Sequence, residues 1–312
     1  MTANLSAVVF SFCTGPLWAQ DQMTLLLDWF DNPDHGPAII AQERGYVAIL
    51  DLEAEIIAPA DPSPHLRLVA ADRADLAVSQ QPALRLQILE GLPRKRIGTL
   101  TATPLKCLLV VEDGPIETPA DLCGRRIGVS AGGVEEAVLG RLRETHGVRT
   151  DEVERINVNV SLSPALMSGQ VDRVIGACCN VELNQMDIED VPGRCFYVEE
   201  EGLPAYDGLI YMANPLTMDP DRLRRFLAAT ERAIQDIISH SQDSGEIFAR
   251  LAPEMRDDLN RRACGDTSPR LALCPAAMGA GRSARFEVIL REAGLIPDSN
   301  PVSDIAIDVT AP

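Results

Sequence analysis

The chain has 312 residues, of which 46% are hydrophobic and only 4% aromatic, and its formal net charge at pH 7 is −18. This length suits one large domain or two lobes of about 150 residues, with enough chain to bury a sizeable core. Because an acidic surface repels phosphate backbones and anionic lipid headgroups, the charge argues against nucleic acids and against polybasic membrane docking.

The N-terminal segment has the pattern of an export signal. A short apolar run, Leu5–Phe12, precedes Ala19-Gln20-Asp21. The run is too short for a membrane span, which takes about 20 apolar residues. We therefore predict a signal peptide over residues 1–20 and a periplasmic mature protein. Lipid anchoring at Cys13 and an unprocessed terminus are the alternatives, and Phe12 stands where a lipidation signal needs a small residue.

The eight cysteines and four histidines show no metal-binding pattern. There is no CxxC motif, and no pair of these residues has the spacing of zinc ligands. Cys178 and Cys179 are adjacent, and adjacent cysteines rarely form a structural disulfide. We predict no metal site and expect most of the cysteines to be small buried residues.

Short apolar runs alternate with segments of helical periodicity along the rest of the chain. The predicted strands are Met23–Asp28, Leu52–Ala58, Asp75–Ser79, Cys107–Val111, Arg126–Val129, Val153–Val158, Val171–Ile175 and Leu209–Ala213. The predicted helices are Gly36–Tyr46, Ser63–Ala71, Pro82–Glu90, Val134–His146, Ser163–Ser168 and Asp219–Ser239, with more helix toward the C-terminus. This alternation predicts right-handed βαβ units on a parallel sheet.

The pattern begins again near residue 104, which predicts two α/β lobes. The first lobe would comprise residues 21–103 and 208–312, with residues 104–207 inserted as the second lobe. Two chain crossings would form a hinge, and the cleft between the lobes is the expected place for a small ligand.

A short internal similarity supports this division. Residues 68–77 and 166–175 each contain the end of a predicted helix, a turn, an acidic residue and a buried strand. Either a duplication or the common requirements of an αβ corner could produce it.

Several segments resemble the substrate-binding proteins of ABC importers for thiamine-precursor pyrimidines. The matching residues, spread over about 21–295, are Asp28-Trp29-Phe30, Asn32-Pro33-Asp34-His35, Pro59–Ser63, Ala74–Ser79, Ser168–Asp172 and Glu200–Asp207. The resemblance implies a type II periplasmic-binding-protein fold, with two α/β lobes and a hinge. It also implies a monomeric solute-binding component that carries formylaminopyrimidine or hydroxymethylpyrimidine to an ABC permease in the inner membrane.

The same superfamily contains a pyrimidine phosphate synthase that consumes its own histidine and holds pyridoxal phosphate on a lysine. In this chain those two positions correspond to Ser79 and Ala83, and the lysines, Lys95 and Lys106, lie elsewhere. Because a Schiff base needs a lysine amine, we predict a transport protein with no catalytic residue and no cofactor. The synthase and a binding protein for sulfonates, taurine or nitrate are the alternatives.

The loop after the first predicted strand carries three candidate ligand contacts. Trp29 falls at the carboxyl edge of the sheet, where ligands bind in α/β folds, and is either a stacking wall or a core tryptophan. Asn32 and His35 are candidates to hydrogen-bond the ring. Asn32 before Pro33 is equally typical of a turn, and His35 of a helix cap or a surface position.

A glycine-rich turn follows the strand Arg126–Val129. Its candidate contacts are Ser130, Gly132, Gly133 and Glu135, because exposed amides at a helix start can bind a polar group of a ligand. A plain tight turn is the alternative.

Further candidates come from the resemblance. Asn180 and Glu182 follow the strand Val171–Ile175, and in the family a glutamate at the position of Glu182 faces the cleft, where it could accept from an amino group. A solvated helix face is its alternative. Tyr206 and Tyr211 flank the predicted hinge, either as a second aromatic wall or as packing residues.

This chain lacks aromatic residues that the family tends to have. Ser79 and Gln80 end the third strand and are predicted to border the ligand, but Gln80 stands where the family has tyrosine. Around Asn180 the family tends to have an aromatic residue or an arginine, where this chain has Cys178, Cys179 and Val181. In the late helices, positions that are often Trp or Phe are Gly245, Cys264 and Leu271. We expect an altered or weaker ligand preference from the first group and looser packing of the first lobe from the second.

Overall fold

The structure is a computed structural model. It describes residues 20–59, 65–130, 139–142, 145–148, 153–251, 257–292, 294, 296–297 and 301–311. The predicted signal peptide and most of the predicted helix Val134–His146 lie outside the described residues. Within the described ranges, no helix combines the length and the apolar character that a membrane crossing requires.

Two five-stranded sheets form the framework. The first has the order β2-β1-β3-β10-β4 and consists of β1 (Asp21–Leu26), β2 (Leu52–Ile57), β3 (Leu76–Ser79), β4 (Lys95–Thr101) and β10 (Leu209–Ala213). The second has the order β7-β6-β8-β5-β9 and consists of β5 (Lys106–Val111), β6 (Arg126–Val129), β7 (Glu154–Asn157), β8 (Arg173–Cys178) and β9 (Gly193–Tyr197).

Helices cover the sheets and fill the C-terminal part of the chain. They are α1 (Gly36–Glu43), α2 (Tyr46–Ile49), α3 (His65–Ala70), α4 (Gln81–Leu89), α5 (Leu162–Met167), α6 (Glu182–Ile188), α7 (Pro220–Ser239), α8 (Ser241–Leu251), α9 (Asp258–Thr267), α10 (Ala280–Glu292) and α11 (Val302–Ile305). The predicted helix Asp219–Ser239 is confirmed as α7, and the Asp219 side chain accepts from the amides of Asp221 and Arg222 as its N-cap.

The prediction of purely parallel sheets is wrong for one strand in each sheet. β1 pairs in parallel with β2 and β3, as β6 does with β7 and β8. β10 and β5 instead run antiparallel to both of their neighbours. Each is the first strand after the chain passes from one lobe to the other. Such a strand starts at the edge where the preceding strands end, and therefore runs in the opposite direction.

Two strands, β4 and β9, were not predicted from the sequence, and both lie at the edge of a sheet. β4 reads KRIGTLT and β9 reads GRCFY, so neither contains the continuous apolar run that marks a buried strand. The predicted helix Gly36–Tyr46 also differs, because it divides into α1 and α2 at Gly45. Gly45 has φ 70, in the left-handed region that glycine adopts without strain.

Side chains of the central strands alternate between the two faces of each sheet. Leu25 belongs to one hydrophobic cluster of the first lobe and Leu26 to the cluster on the other face. In the second lobe, Leu108 and Leu109 divide in the same way. Both faces of each sheet are therefore buried, which explains why the central strands read as apolar runs.

The internal similarity in the sequence corresponds to one repeated contact. The Asp75 carboxylate accepts a hydrogen bond of 2.8 Å from the backbone amide of Thr24, within β1. The Asp172 carboxylate accepts from the amide of Arg126, also at 2.8 Å, at the start of β6. In each lobe, the acidic residue that precedes one strand therefore accepts a hydrogen bond from a backbone amide of the neighbouring strand.

A buried ionic cluster holds the second chain crossing. The Asp207 carboxylate pairs with Arg96 of β4 and with Arg282 of α10, at 2.5 Å in both cases. At Gly208, an added Cβ would lie 2.3 Å from the carbonyl oxygen of Thr103, so the two crossings approach too closely for a side chain.

Helix α10 contacts both sheet systems. Its Phe286 packs on Tyr206 within the hydrophobic cluster of the second sheet, with ring centroids 4.8 Å apart. Its Glu287 accepts a 2.7 Å bond from Arg85 of α4, beside the first sheet, and both side chains are buried. The predicted boundaries at residues 104 and 207 stay a prediction.

The cysteines are more varied than predicted. Cys107 of β5 and Cys195 of β9 form a disulfide, which joins diagonal neighbours on adjacent strands. Cys179 is buried, as expected, whereas Cys123 and Cys274 are exposed. Among the described residues, no group of His, Cys, Asp or Glu side chains is arranged to hold a metal ion.

Candidate functional site

The first side of the site is the loop that follows β1. The Asp28 carboxylate lies 2.9 Å from Nε2 of His35, which is buried. Trp29 is half-buried, and its ring meets that of the exposed Phe30 edge-on, with centroids 5.7 Å apart. Trp29 is not a member of the hydrophobic clusters formed by the described residues. Its indole is therefore outside the cores, as a stacking wall requires.

Asn32 shapes this loop. Its side-chain oxygen accepts from the amide of Asp34 at 2.9 Å, and its side-chain nitrogen donates to the carbonyl oxygen of Phe30 at 2.9 Å. Both ends of the amide are thus engaged in the turn. Of the two interpretations of Asn32, the turn-forming one matches these contacts.

A buried hydrogen-bonded triad connects this loop to the second sheet. The Asn180 side chain donates to the Asp34 carboxylate at 2.6 Å and to the Thr267 hydroxyl at 2.7 Å, and Thr267 donates to Asp34 at 2.8 Å. Burial raises the pKa of Asp34, against the lowering effect of these hydrogen bonds. The loop after β1, the segment after β8 and α9 therefore meet at one point.

The second side of the site lies where β8 ends and β5 begins. The Lys106 ammonium donates to the sulfur of Cys178 at 3.0 Å, and the Glu182 carboxylate accepts from the Cys178 amide at 2.6 Å. Lys106 and Glu182 are both half-buried. An ammonium donor and a carboxylate acceptor therefore stand on either side of one residue.

The charges of this group are coupled across the gap between the lobes. Burial raises the pKa of the Cys178 thiol and of the Glu182 carboxyl. Burial also disfavours the charged form of Lys106, but its neighbours outweigh this and raise its pKa. Cys178 has the largest raising effect, and Glu182 and Asp28 add to it. Asp28 belongs to the first side, so the two sides lie within electrostatic reach of each other.

For the other predicted ligand contacts among the described residues, the structure gives the burial of the side chains but no contact between the two sides of the site. Ser79 is buried, and its hydroxyl donates to the neighbouring carbonyl of Gln80 at 3.4 Å. Gln80 is half-buried and immediately precedes α4, and Ser130 is half-buried at the end of β6. The predicted contacts Gly132, Gly133 and Glu135 lie outside the described residues.

Both predicted tyrosines pack in hydrophobic clusters. Tyr206 contacts Phe286 in the cluster of the second sheet, and Tyr211 contacts Phe226 in that of the first, with ring centroids 5.4 Å apart. Burial raises the pKa of the Tyr211 hydroxyl. We assign neither ring to the wall of the gap.

Three residues of this site were not candidates from the sequence: Lys106, Asp34 and Thr267. Lys106 carries a usable signal, since it is one of two lysines and begins the first strand after a chain crossing. Asp34 is quoted in the family resemblance without a role. Thr267 carries no signal, because its contact with Asp34 spans 233 positions.

A cavity of about 1320 Å³ lies among α1, α7, α8 and α9, and Thr267 of the buried triad forms part of its wall. Its walls are mostly apolar and include Ile40 and Phe248. They also include Gly245, Cys264 and Leu271, the positions where the resemblance leads one to expect tryptophan or phenylalanine. This matches the expected looser packing of the first lobe. The predicted ligand contacts that the structure describes do not line this cavity.

Two mixed five-stranded sheets covered by helices are typical of the periplasmic binding proteins, and a solved structure agrees. The aliphatic sulphonate binding protein SsuA of Escherichia coli superposes with a TM-score of 0.74 over 92% of each chain, at 14% sequence identity. This confirms the predicted fold class. By sequence, the chain belongs to the NMT1/THI5-like family, whose profile matches residues 32–244.

Three similar proteins show what kinds of protein this family contains. A Haemophilus influenzae protein named for thiamine biosynthesis is 39% identical over 96% of this chain and 98% of its own length. The formylaminopyrimidine-binding protein of Halalkalibacterium halodurans is 29% identical over 63% of this chain and 59% of its own. A 4-amino-5-hydroxymethyl-2-methylpyrimidine phosphate synthase of Legionella pneumophila is 23% identical over 80% of each chain. The predicted family resemblance is confirmed.

Proposed function

We propose that this chain is the periplasmic solute-binding component of an ABC importer and that it binds a thiamine-precursor pyrimidine between its lobes. The candidate ligands are formylaminopyrimidine and hydroxymethylpyrimidine, and the receiving partner is a permease in the inner membrane. The protein would act as a monomer, without a cofactor, after removal of its signal peptide.

One observation supports the proposal: the loop after β1, which carries a half-buried indole, is bonded through Asp34 and Asn180 to the segment after β8, which carries the Glu182 carboxylate. Trp29 offers a ring face outside the cores. Glu182 offers an acceptor for an exocyclic amino group. A flat ring that carries an amino group needs these two elements. The formylaminopyrimidine-binding relative supports the same ligand class.

The sulfonate alternative is favoured by the fold likeness to a sulphonate-binding protein and by Lys106. The carboxylates of Glu182 and Asp28 act on the same region, and they would repel an anion there. The charge of the gap therefore supports a neutral ring over a sulfonate.

The synthase alternative requires a lysine at the end of β3. The residue at this position is Ser79, whose side chain is buried and donates to the neighbouring carbonyl of Gln80. Lys106 belongs to β5 of the other sheet. We therefore propose a binding protein rather than an enzyme.

Isothermal titration calorimetry on protein freed of bound ligand by unfolding and refolding tests the proposal. We expect heat and a thermal shift with formylaminopyrimidine or hydroxymethylpyrimidine, and none with taurine or a short alkanesulfonate. Binding of the sulfonates alone would establish the alternative. Pyridoxal-phosphate absorbance that resists dialysis, together with pyrimidine formation, would establish the synthase.

A further inference from the structure

The Lys106 ammonium has unused hydrogen-bonding capacity at the gap. A lysine ammonium has three donors, and a thiol is a weak acceptor. Within the described part of the chain, the Cys178 sulfur at 3.0 Å is the recorded partner of Lys106, and no carboxylate forms an ion pair with it. The other lysine, Lys95, is engaged elsewhere, since it donates to the carbonyl oxygen of Ser303 at 2.7 Å.

The position of Lys106 is fixed relative to Glu182. Lys106 contacts the sulfur of Cys178, and Glu182 accepts from the amide of the same residue at 2.6 Å. Cys178 is one of the positions where the resembling proteins tend to have a larger side chain. In this chain the thiol at this position contacts the Lys106 ammonium instead.

We propose that Lys106 is the specificity-determining residue of this site, and that its ammonium donates to an uncharged oxygen substituent of the bound ring while Glu182 accepts from the amino group. The inference rests on the proposed function and deepens it. Formyl and hydroxymethyl oxygens are both acceptors, whereas a methyl group is not. An anionic substituent would be repelled by the carboxylates of Glu182 and Asp28, and a cationic one by the Lys106 ammonium, so a neutral oxygen suits the site best.

The proposed role of Lys106 is tested by comparing two forms of the protein with three ligands. Wild-type protein and Lys106→Met are titrated with hydroxymethylpyrimidine, with formylaminopyrimidine and with 4-amino-2,5-dimethylpyrimidine, which lacks the oxygen. We expect Lys106→Met to weaken binding of the first two by about 10- to 100-fold, the range of a charge-assisted hydrogen bond. Binding of the dimethyl compound should not change. Lys95→Met is the matched control and should change none of the three affinities.

Equal losses for all three compounds would overturn the inference, because the lysine would then act without regard to the oxygen. Wild-type protein that binds the dimethyl compound as tightly as hydroxymethylpyrimidine would also overturn it, and this comparison needs no variant. If Lys106→Met does not fold, Lys106→Gln replaces it. Wild-type protein that binds none of the three compounds overturns the proposed function itself, which distinguishes the two failures.

Discussion

The gap between the lobes and the cavity among the C-terminal helices both lack aromatic residues that related proteins tend to have, yet they differ in what takes their place. At the gap, Lys106, Cys178 and Glu182 form a compact polar group. In the cavity, Gly245, Cys264 and Leu271 border about 1320 Å³ of mostly apolar space. The first region is therefore a hydrogen-bonded polar group, whereas the second is a mostly apolar cavity.

The comparison teaches that the two losses act on different properties. A change at the gap should alter ligand affinity and leave the free energy of unfolding largely unchanged. A change at Gly245 in the cavity wall should do the reverse, because none of the sequence-predicted ligand contacts that the structure describes lines the cavity. Three substitutions test this separation.

The largest effect is expected from Trp29→Ala. Removal of a stacked ring costs roughly 1–3 kcal/mol with a flat heterocycle, so affinity for the pyrimidine should fall by about 10- to 100-fold. Calorimetry measures the loss. Phe30→Ala is the matched control, since Phe30 meets Trp29 only edge-on and is 46% exposed, and it should cost less. An unchanged affinity in Trp29→Ala would remove the indole from the site.

The next effect is expected from Gly245→Leu, measured as the free energy of unfolding in urea. An added Cβ at Gly245 meets nothing within 4 Å. Relief of glycine in a helix contributes about 1 kcal/mol, and burial of an apolar side chain adds about 1–2 kcal/mol. Gly245→Ala separates the two contributions, because it supplies only the first. A Leu variant no more stable than the Ala variant would show that the cavity cannot be filled.

The smallest effect concerns pH and the triad between the two regions. Burial raises the pKa of Asp34 above its ordinary 3.8, so the folded state holds a proton that the unfolded state releases. Its contribution to stability is therefore present at low pH and is lost as pH rises from 3.8 through the raised value. Asp34→Asn should flatten this decline, so the stability of the variant relative to the wild type rises as the pH increases above 3.8.

Asp121→Asn is the control of opposite sign. Hydrogen bonds from the amide and hydroxyl of Thr118 lower the pKa of Asp121. Its stabilising effect is present above the ordinary value of 3.8 and is lost as pH falls. Chemical denaturation at several pH values measures both variants. The same sign for the two would contradict the assignment of Asp34.

Local sequence patterns predicted the central strands and α7 because burial on both faces leaves a continuous apolar run, and a cap marks a helix start. They did not predict β4 and β9, since neither strand, KRIGTLT or GRCFY, contains a continuous apolar run. The position of Trp29 followed from its strand. The packing of Tyr206 against Phe286 depends on the return of α10, and no local pattern predicts a contact between residues so distant in the chain.

Helix α10 has a consequence for how far the two lobes can separate. Its Phe286 is embedded beside the second sheet, and its Glu287 is paired with Arg85 beside the first. Because the two residues are consecutive, any rotation that separates the lobes must loosen one of these attachments. In the binding protein proposed above, the width of opening would therefore be set by a helix that need not touch the ligand.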